Sequence, residues 1–274
     1  MTEHSANVAG LEVHYRQAGD APILYLHGVP THSYDWVPFL ERTGGIAPDL
    51  PGFGRSAKPG DFDYSIQGYD RFLDAFVDQL GLERFSLVLH DWGAVGLALA
   101  QRFPERVERL VLFSVVPFVP GFRWHRVARG WRTRGIGELL MGVTTRWAFR
   151  RELPPELADP AWDAFDHGTQ RTILKLYRSA PPEVLARAGE RLGEVRAPAL
   201  VLWPEDDPYI GAEFGQAQAE ALGGETTLEM VDGGHWPWLR REAKRRLCGY
   251  LCWSGGNRCP GQSSAGRAAR RGHP

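Results

Sequence analysis

Cysteine is scarce in this chain of 274 residues: Cys248, Cys252 and Cys259 are the only three, all crowded toward one end. An odd number so placed is no disulfide framework, and the spacing is not that of a zinc site. A reducing cytoplasm is the simplest setting. Charge of one sign is also lacking. Lys and Arg number 32 against 33 Asp and Glu, for a formal net charge of −1. The chain as a whole therefore carries no electrostatic footprint for nucleic acid. No apolar run approaches the roughly 18 residues of a membrane span. Met1 to Gly10 has neither the basic nor the apolar block of a signal peptide. No internal repeat is present, and nothing calls for a cofactor or metal. These absences leave a small-molecule substrate and water as the expected partners.

What is present is a rhythm. Val8 to Gln17 alternates around Gly10 as a hairpin would. Pro22 to Leu26 and Gly45 to Leu50 read as short buried strands, with a helix from Ser33 to Arg42 between them. Ser65 to Leu80 places Ile66, Tyr69, Phe72, Leu73, Phe76, Val77 and Leu80 on one helical face, and Gly81 stands where a left-handed cap belongs. Strands follow at Phe85 to His90 and Arg106 to Val116, with a helix from Ala94 to Phe103 between them. Alternating strands and helices imply a mostly parallel sheet covered on both faces. From Pro117 to Arg196 no strand is evident, and the stretch reads as an inserted set of helices. The rhythm returns with a strand at Ala197 to Trp203, a helix at Ala212 to Leu222, a strand at Thr226 to Val231 and a final helix from Pro237 to about Cys252. The expected organisation is a core of residues 1–116 and 196–252, a helical cap of 117–195, and a Gly-, Ser- and Arg-rich tail of 253–274 outside the fold.

The chemistry gathers at Leu89-His90-Asp91-Trp92-Gly93. A strand that turns directly into a helix exposes the turn residue above the sheet edge and aims the helix N-terminus at it. In the serine form of this elbow the pattern is G-x-S-x-G; here a carboxylate takes the nucleophile position. A carboxylate is already an anion at neutral pH. It can attack a saturated carbon and form an alkyl ester on the enzyme. Helix capping by Asp91 is the simpler alternative.

Hydrolysis of such an ester needs a base, an acid to orient the base, and donors for the oxyanion. His235 follows a strand and a Gly-Gly pair, on a loop at the carboxyl edge where open α/β sheets keep their sites. His27 and His90 are expected to hold loop backbones instead. Asp207, in Pro204-Glu205-Asp206-Asp207-Pro208, is the preferred orienting acid, although Asp206 and Glu205 compete and spacing does not separate them. The order nucleophile, acid, histidine is that of the α/β-hydrolases. The amides of Val29 and Trp92 are the expected oxyanion donors; Pro30 has no N–H to give.

Taken together, His27-Gly28-Val29-Pro30, Asp49-Leu50-Pro51-Gly52-Phe53-Gly54-Arg55-Ser56, His90-Asp91-Trp92-Gly93 and Gly233-Gly234-His235-Trp236 resemble the α/β-hydrolases with an aspartate nucleophile. These are the epoxide hydrolases and haloalkane dehalogenases, and the resemblance covers most of residues 8–252. It implies an α/β-hydrolase fold with a helical cap between the sixth and seventh strands, and a shared alkyl-enzyme ester. The two groups differ at the leaving atom. Epoxide hydrolases resemble one another in cap tyrosines that protonate the epoxide oxygen. Dehalogenases hold the halide with the Trp after the nucleophile and either a first-loop Asn or a cap Trp.

Trp92 suits both. Val29 stands where the Asn would be. Leu174-Lys175-Leu176-Tyr177-Arg178-Ser179 is similar to the stretch holding the ring-opening tyrosine, so epoxide hydrolysis, with Tyr177 as acid, is the leading expectation. Haloalkane dehalogenation is the alternative, and a non-catalytic receptor using the same pocket is the rival of another class. A second cap tyrosine is missing, since Tyr177 is the only one between Pro117 and Val195. Trp92, Trp124 and His125 are expected in the substrate pocket. Arg123, Arg126, Arg129, Arg132 and Arg134 make the early insertion basic, which would suit an anionic substrate or simply a solvated helix face.

Overall fold

A computed structural model describes residues 1–252; the tail expected outside the fold, 253–274, lies outside the described residues. Among the described residues eight strands form one sheet: β1 (Thr2–Val8), β2 (Leu11–Ala18), β3 (Ile23–Leu26), β4 (Gly45–Pro48), β5 (Phe85–His90), β6 (Val107–Phe113), β7 (Ala199–Pro204) and β8 (Thr226–Val231). Their spatial order is β1-β2-β4-β3-β5-β6-β7-β8. The β1–β2 hairpin and the β2–β4 pair are antiparallel, and every other pairing is parallel.

The central strands read as unbroken apolar runs because both of their faces are covered. Leu24, Leu26, Leu87, Leu89, Leu110, Leu112, Val201 and Trp203 pack on one side. That side holds α2 (Ile66–Gln79), α3 (Gly96–Arg102) and α10 (Glu213–Ala221). Tyr25, Val88, Val111, Phe113, Leu200 and Leu202 pack on the other, with α1 (Val37–Thr43) and α11 (Arg241–Cys252). Helix α2 buries the face its spacing predicts. It starts at Ser65, whose hydroxyl accepts from the Gly68 N–H at 3.1 Å, and Gly81 just beyond its end has φ 65°.

Between β6 and β7 the chain builds only helices among the described residues. These are α4 (Arg126–Arg132), α5 (Ile136–Val143), α6 (Arg146–Glu152), α7 (Pro155–Asp163), α8 (His167–Ser179) and α9 (Pro182–Ala188). Helix α8 opens on an Asp166 cap that accepts from the Thr169 N–H at 2.9 Å. Its buried stripe is Thr169, Thr172, Ile173, Leu176 and Tyr177, so helical spacing alone turns Tyr177 inward.

Three helices start later than the periodicity suggests. Ser33–Trp36, Asp91–Val95 and Pro237–Leu239 are 3₁₀ turns, and α-helix begins at Val37, Gly96 and Arg241. A tight turn leaving a strand winds narrowly before it can relax into α geometry.

Candidate active site

Four strands deliver the site. β3 ends in the loop from His27, β5 in Asp91, β7 in Asp207 and β8 in His235. All four reach the same carboxyl edge. The strand order reverses at β3 and β5, the place where such sheets open a crevice. Parallel register sets Leu26 beside Leu89, which brings the first loop against the elbow.

The elbow is strained. Asp91 has φ 47° although it is not glycine, a conformation that persists only when its surroundings enforce it. Those surroundings are visible. A Cβ on Gly28 would stand 2.5 Å from the Asp91 Cβ, and one on Gly93 would strike the Leu26 carbonyl. The Asp91 carbonyl accepts from the Val116 N–H at 2.9 Å. His27 and His90 brace the loops, as expected of them. His27 Nε2 accepts from the Leu50 N–H at 2.9 Å, and burial pushes its pKa down to about 4. His90 Nε2 bonds the His235 carbonyl at 3.0 Å. Asp49 ties the first loop to the glycine-rich loop beyond β4. It accepts from the Ser33 and Arg55 amides and from His14 Nδ1 at 2.9, 2.8 and 3.0 Å.

Asp91, His235 and Asp207 meet. The Val29 N–H donates to Asp91 Oδ1 at 2.8 Å. Asp91 Oδ2 faces His235 Nε2 at 3.6 Å, and His235 Nδ1 bonds Asp207 Oδ2 at 2.8 Å. The other Asp207 oxygen accepts from the Tyr209 and Ile210 amides at 2.8 and 3.1 Å. Of the rival acids, Asp206 turns away to accept from the Gly234 N–H at 2.9 Å. Burial alone would lower the His235 pKa, but Asp207 and Asp91 together push it up to about 9. Burial would raise that of Asp207, but the His235 bond, its charge and the two amides hold it below the usual carboxylate range.

A cavity of about 360 Å³ lies over Asp91 and His235, within the size range of small-molecule sites. Trp124, His125 and Tyr177 line it. Trp92 does not line the large cavity. It is 1% exposed, behind Trp124 (stacked, 5.5 Å) and Tyr177 (edge-on, 5.2 Å). The Trp92 indole N–H is buried with no hydrogen-bond partner within ordinary geometry, although the Tyr177 hydroxyl is close enough to interact with it. Trp124 spends its own N–H on the Ala180 carbonyl at 2.8 Å. Burial, and then the Asp91 charge, push the Tyr177 pKa well above the usual value. Its proton stays on.

Among the wall residues that sequence reasoning missed are Trp131, Tyr209, Phe149 and Glu152. Trp131 packs edge-on against Tyr177 at 5.0 Å. Tyr209 follows Asp207 by two positions and lies 5.0 Å, ring to ring, from His235. Its place on a loop at the carboxyl edge was the available signal. None of the insertion's early arginines lines the cavity. Arg132 turns to the Tyr177 and Ala180 carbonyls instead. Among the described residues no three His, Cys, Asp or Glu side chains converge as a metal site requires, and no helix is long and apolar enough to cross a membrane.

Fold and site together define a hydrolase of the α/β-hydrolase class, with a carboxylate where the serine members carry their hydroxyl. The chain belongs to the alpha/beta hydrolase family, whose model matches residues 23–245. It is 43% identical over 248 residues to a haloalkane dehalogenase of Psychrobacter cryohalolentis, covering 82% of each chain. A haloalkane dehalogenase of Agrobacterium fabrum is 36% identical over 167 residues, 54% of each chain, so the chain spans about half the length of that relative. Among solved structures, haloalkane dehalogenase DbeA from Bradyrhizobium elkani superposes with a TM-score of 0.77 at 26% identity. That match covers 92% of this chain and 97% of the other.

Proposed function

We propose that the protein is a haloalkane dehalogenase, working through an ester on Asp91 beneath a cap made by residues 117–195. The observation that carries the reading is the buried indole N–H of Trp92, next to the nucleophile: among the described residues only the Tyr177 hydroxyl comes near it, and none accepts from it in ordinary hydrogen-bond geometry. A buried donor without an acceptor costs about 1–3 kcal/mol. A halide leaving the substrate carbon and settling at the Tyr177 hydroxyl, the part of the cavity wall nearest Trp92, supplies that acceptor, and Trp131 is the cap indole at the cavity wall that can add a second N–H. The names of the relatives point the same way.

In this scheme Val29 holds Asp91 Oδ1, and Oδ2 attacks the carbon as the C–X electron pair departs with the halide. Esterification removes the Asp91 charge. His235 then loses one of the two anions that raise its proton affinity, and the imidazole becomes a neutral base at neutral pH. It takes a proton from water through Nε2 while hydroxide adds to the Asp91 carbonyl carbon. The Val29 and Trp92 amides hold the oxyanion, and collapse releases the alcohol.

The second reading, epoxide hydrolysis to a diol, is favoured by the Tyr177 hydroxyl in the cavity beside Asp91. An alkoxide leaving group needs a proton, and a halide does not. Incubation with a bromoalkane and a terminal epoxide separates the two, with free bromide and diol as the readouts. Bromide release is expected; diol without bromide would reverse the assignment. A His235→Gln variant is expected to accumulate the alkyl adduct on Asp91, seen as a mass increment on the peptide containing it. An adduct on any other residue would remove Asp91 from its role.

A further inference from the structure

We propose that the cavity selects substrates whose reacting carbon is tethered to a cationic tail, an alkyl ammonium, held at the mouth by Glu152 and the surrounding aromatic rings. The inference rests on the Asp91 ester reading and adds the substrate class. It starts from a charge asymmetry. Among the described residues two carboxylates, Asp91 and Glu152, line the cavity, and no Lys or Arg does. At the base, His235 is already flanked by two carboxylates, Asp91 and Asp207. Burial depresses the pKa of His125 on the same wall, so this ring stays neutral.

At the mouth, Glu152 Oε2 accepts from the Tyr209 hydroxyl at 3.2 Å, and no Lys or Arg among the described residues pairs with this carboxylate. Its arginine neighbours on α6 are turned elsewhere. Arg146 and Arg150 pair with Asp159, and Arg151 lies 5.5 Å over the exposed Trp147 ring. Phe149, one turn before Glu152, faces the cavity with it, as do Trp131 and Tyr209. A carboxylate set among aromatic faces is the arrangement that recognises quaternary ammonium groups, by charge and by attraction to the ring quadrupoles. The Tyr209 ring separates Glu152 from His235, so the tail and the reacting carbon are held at opposite ends. An anionic tail at the mouth would meet the Glu152 carboxylate and no Lys or Arg among the described residues.

Binding and turnover test different links. Calorimetric titration with an alkyl trimethylammonium that has no leaving group is compared with its tert-butyl isostere, in which carbon replaces the charged nitrogen. The cation is expected to bind roughly tenfold tighter. That ratio should collapse toward one in Glu152→Gln but persist in Glu220→Gln, an exposed carboxylate on α10 that controls for net charge. Equal binding of the two ligands, or an unchanged ratio in Glu152→Gln, overturns the proposal. In turnover, the bromoalkyl ammonium is expected to exceed the neutral bromoalkane in kcat/KM, with the bromoalkanoate poorest. Tight cation binding with no turnover of any substrate would count against the ester reading alone.

Discussion

A carboxylate at a φ of 47° is held there by contacts that leave nothing for a larger neighbour. Asp91 owes its tight elbow to the close approach of Gly28 and Gly93, and its orientation to the Val29 amide and His235. The proposed orienting acid is set with the same economy of contacts. Asp207 reaches His235 Nδ1, whereas Asp206, one residue earlier, reaches only a backbone amide. Asp207→Asn is therefore expected to slow ester hydrolysis by about 10³–10⁴-fold through the wrong imidazole tautomer. Alkylation should be far less affected, so a burst of halide precedes a slow steady state. Asp206→Asn should stay within about threefold of the parent rate. A stronger loss in the Asp206 variant than in the Asp207 variant would reassign the acid.

At the scale of elements, the parts most legible in the sequence are those whose local chemistry agrees with their packing. Helix α2 has its cap serine, its apolar stripe and its terminal glycine, and it forms where they indicate. The order Asp91, Asp207, His235 was readable because each follows a strand. The wall opposite was not. Tyr209 and Glu152 meet across 57 residues of chain, and periodicity reports which face of a helix is buried, never what covers it. Trp92 shows the same limit: it was expected in the pocket, and the two rings packed between it and the cavity were not foreseen. The loop after β3 hides another feature. Asp35 is buried, and although the Thr31 hydroxyl donates to it at 2.5 Å, burial pushes its pKa up to about 7. An acid whose pKa is raised by folding loses stability as pH climbs from the unfolded value near 3.8 to about 7. Asp35→Asn removes that penalty. The variant should melt higher than the parent at pH 8, by the equivalent of about 1–3 kcal/mol, with the difference fading toward pH 4. Thermal scans at the two pH values decide it, and equal gains at both would show that ionisation is not the cause.

For the molecule as a whole, the same linkage sets an optimum. His235 is a base whose pKa rises from 6.5 to about 9 on folding. Its contribution is complete below about 6.5 and is lost as pH rises through about 9, on the order of 3 kcal/mol. Asp35 also costs stability upward from about 3.8. In the opposite direction, Asp49 and Asp207 have pKa values lowered by their partners. Their stabilisation is present above the unfolded carboxylate range and is lost as pH falls through the lowered values. The two sets of groups bound a maximum between about pH 4 and pH 6.5. The proposed ester mechanism asks for something else, because a base that hydrolyses the ester must be neutral. The rate of the hydrolytic step should climb with pH beyond the point where the fold is most stable. Melting temperatures from pH 4 to pH 10, set beside single-turnover ester hydrolysis over the same range, are expected to peak apart, with hydrolysis on the alkaline side. His235→Gln should flatten the alkaline fall in melting temperature while leaving the acid limb in place. A parent protein whose melting temperature holds level from pH 6 to pH 10 would mean that the imidazole carries no charge between its two carboxylates.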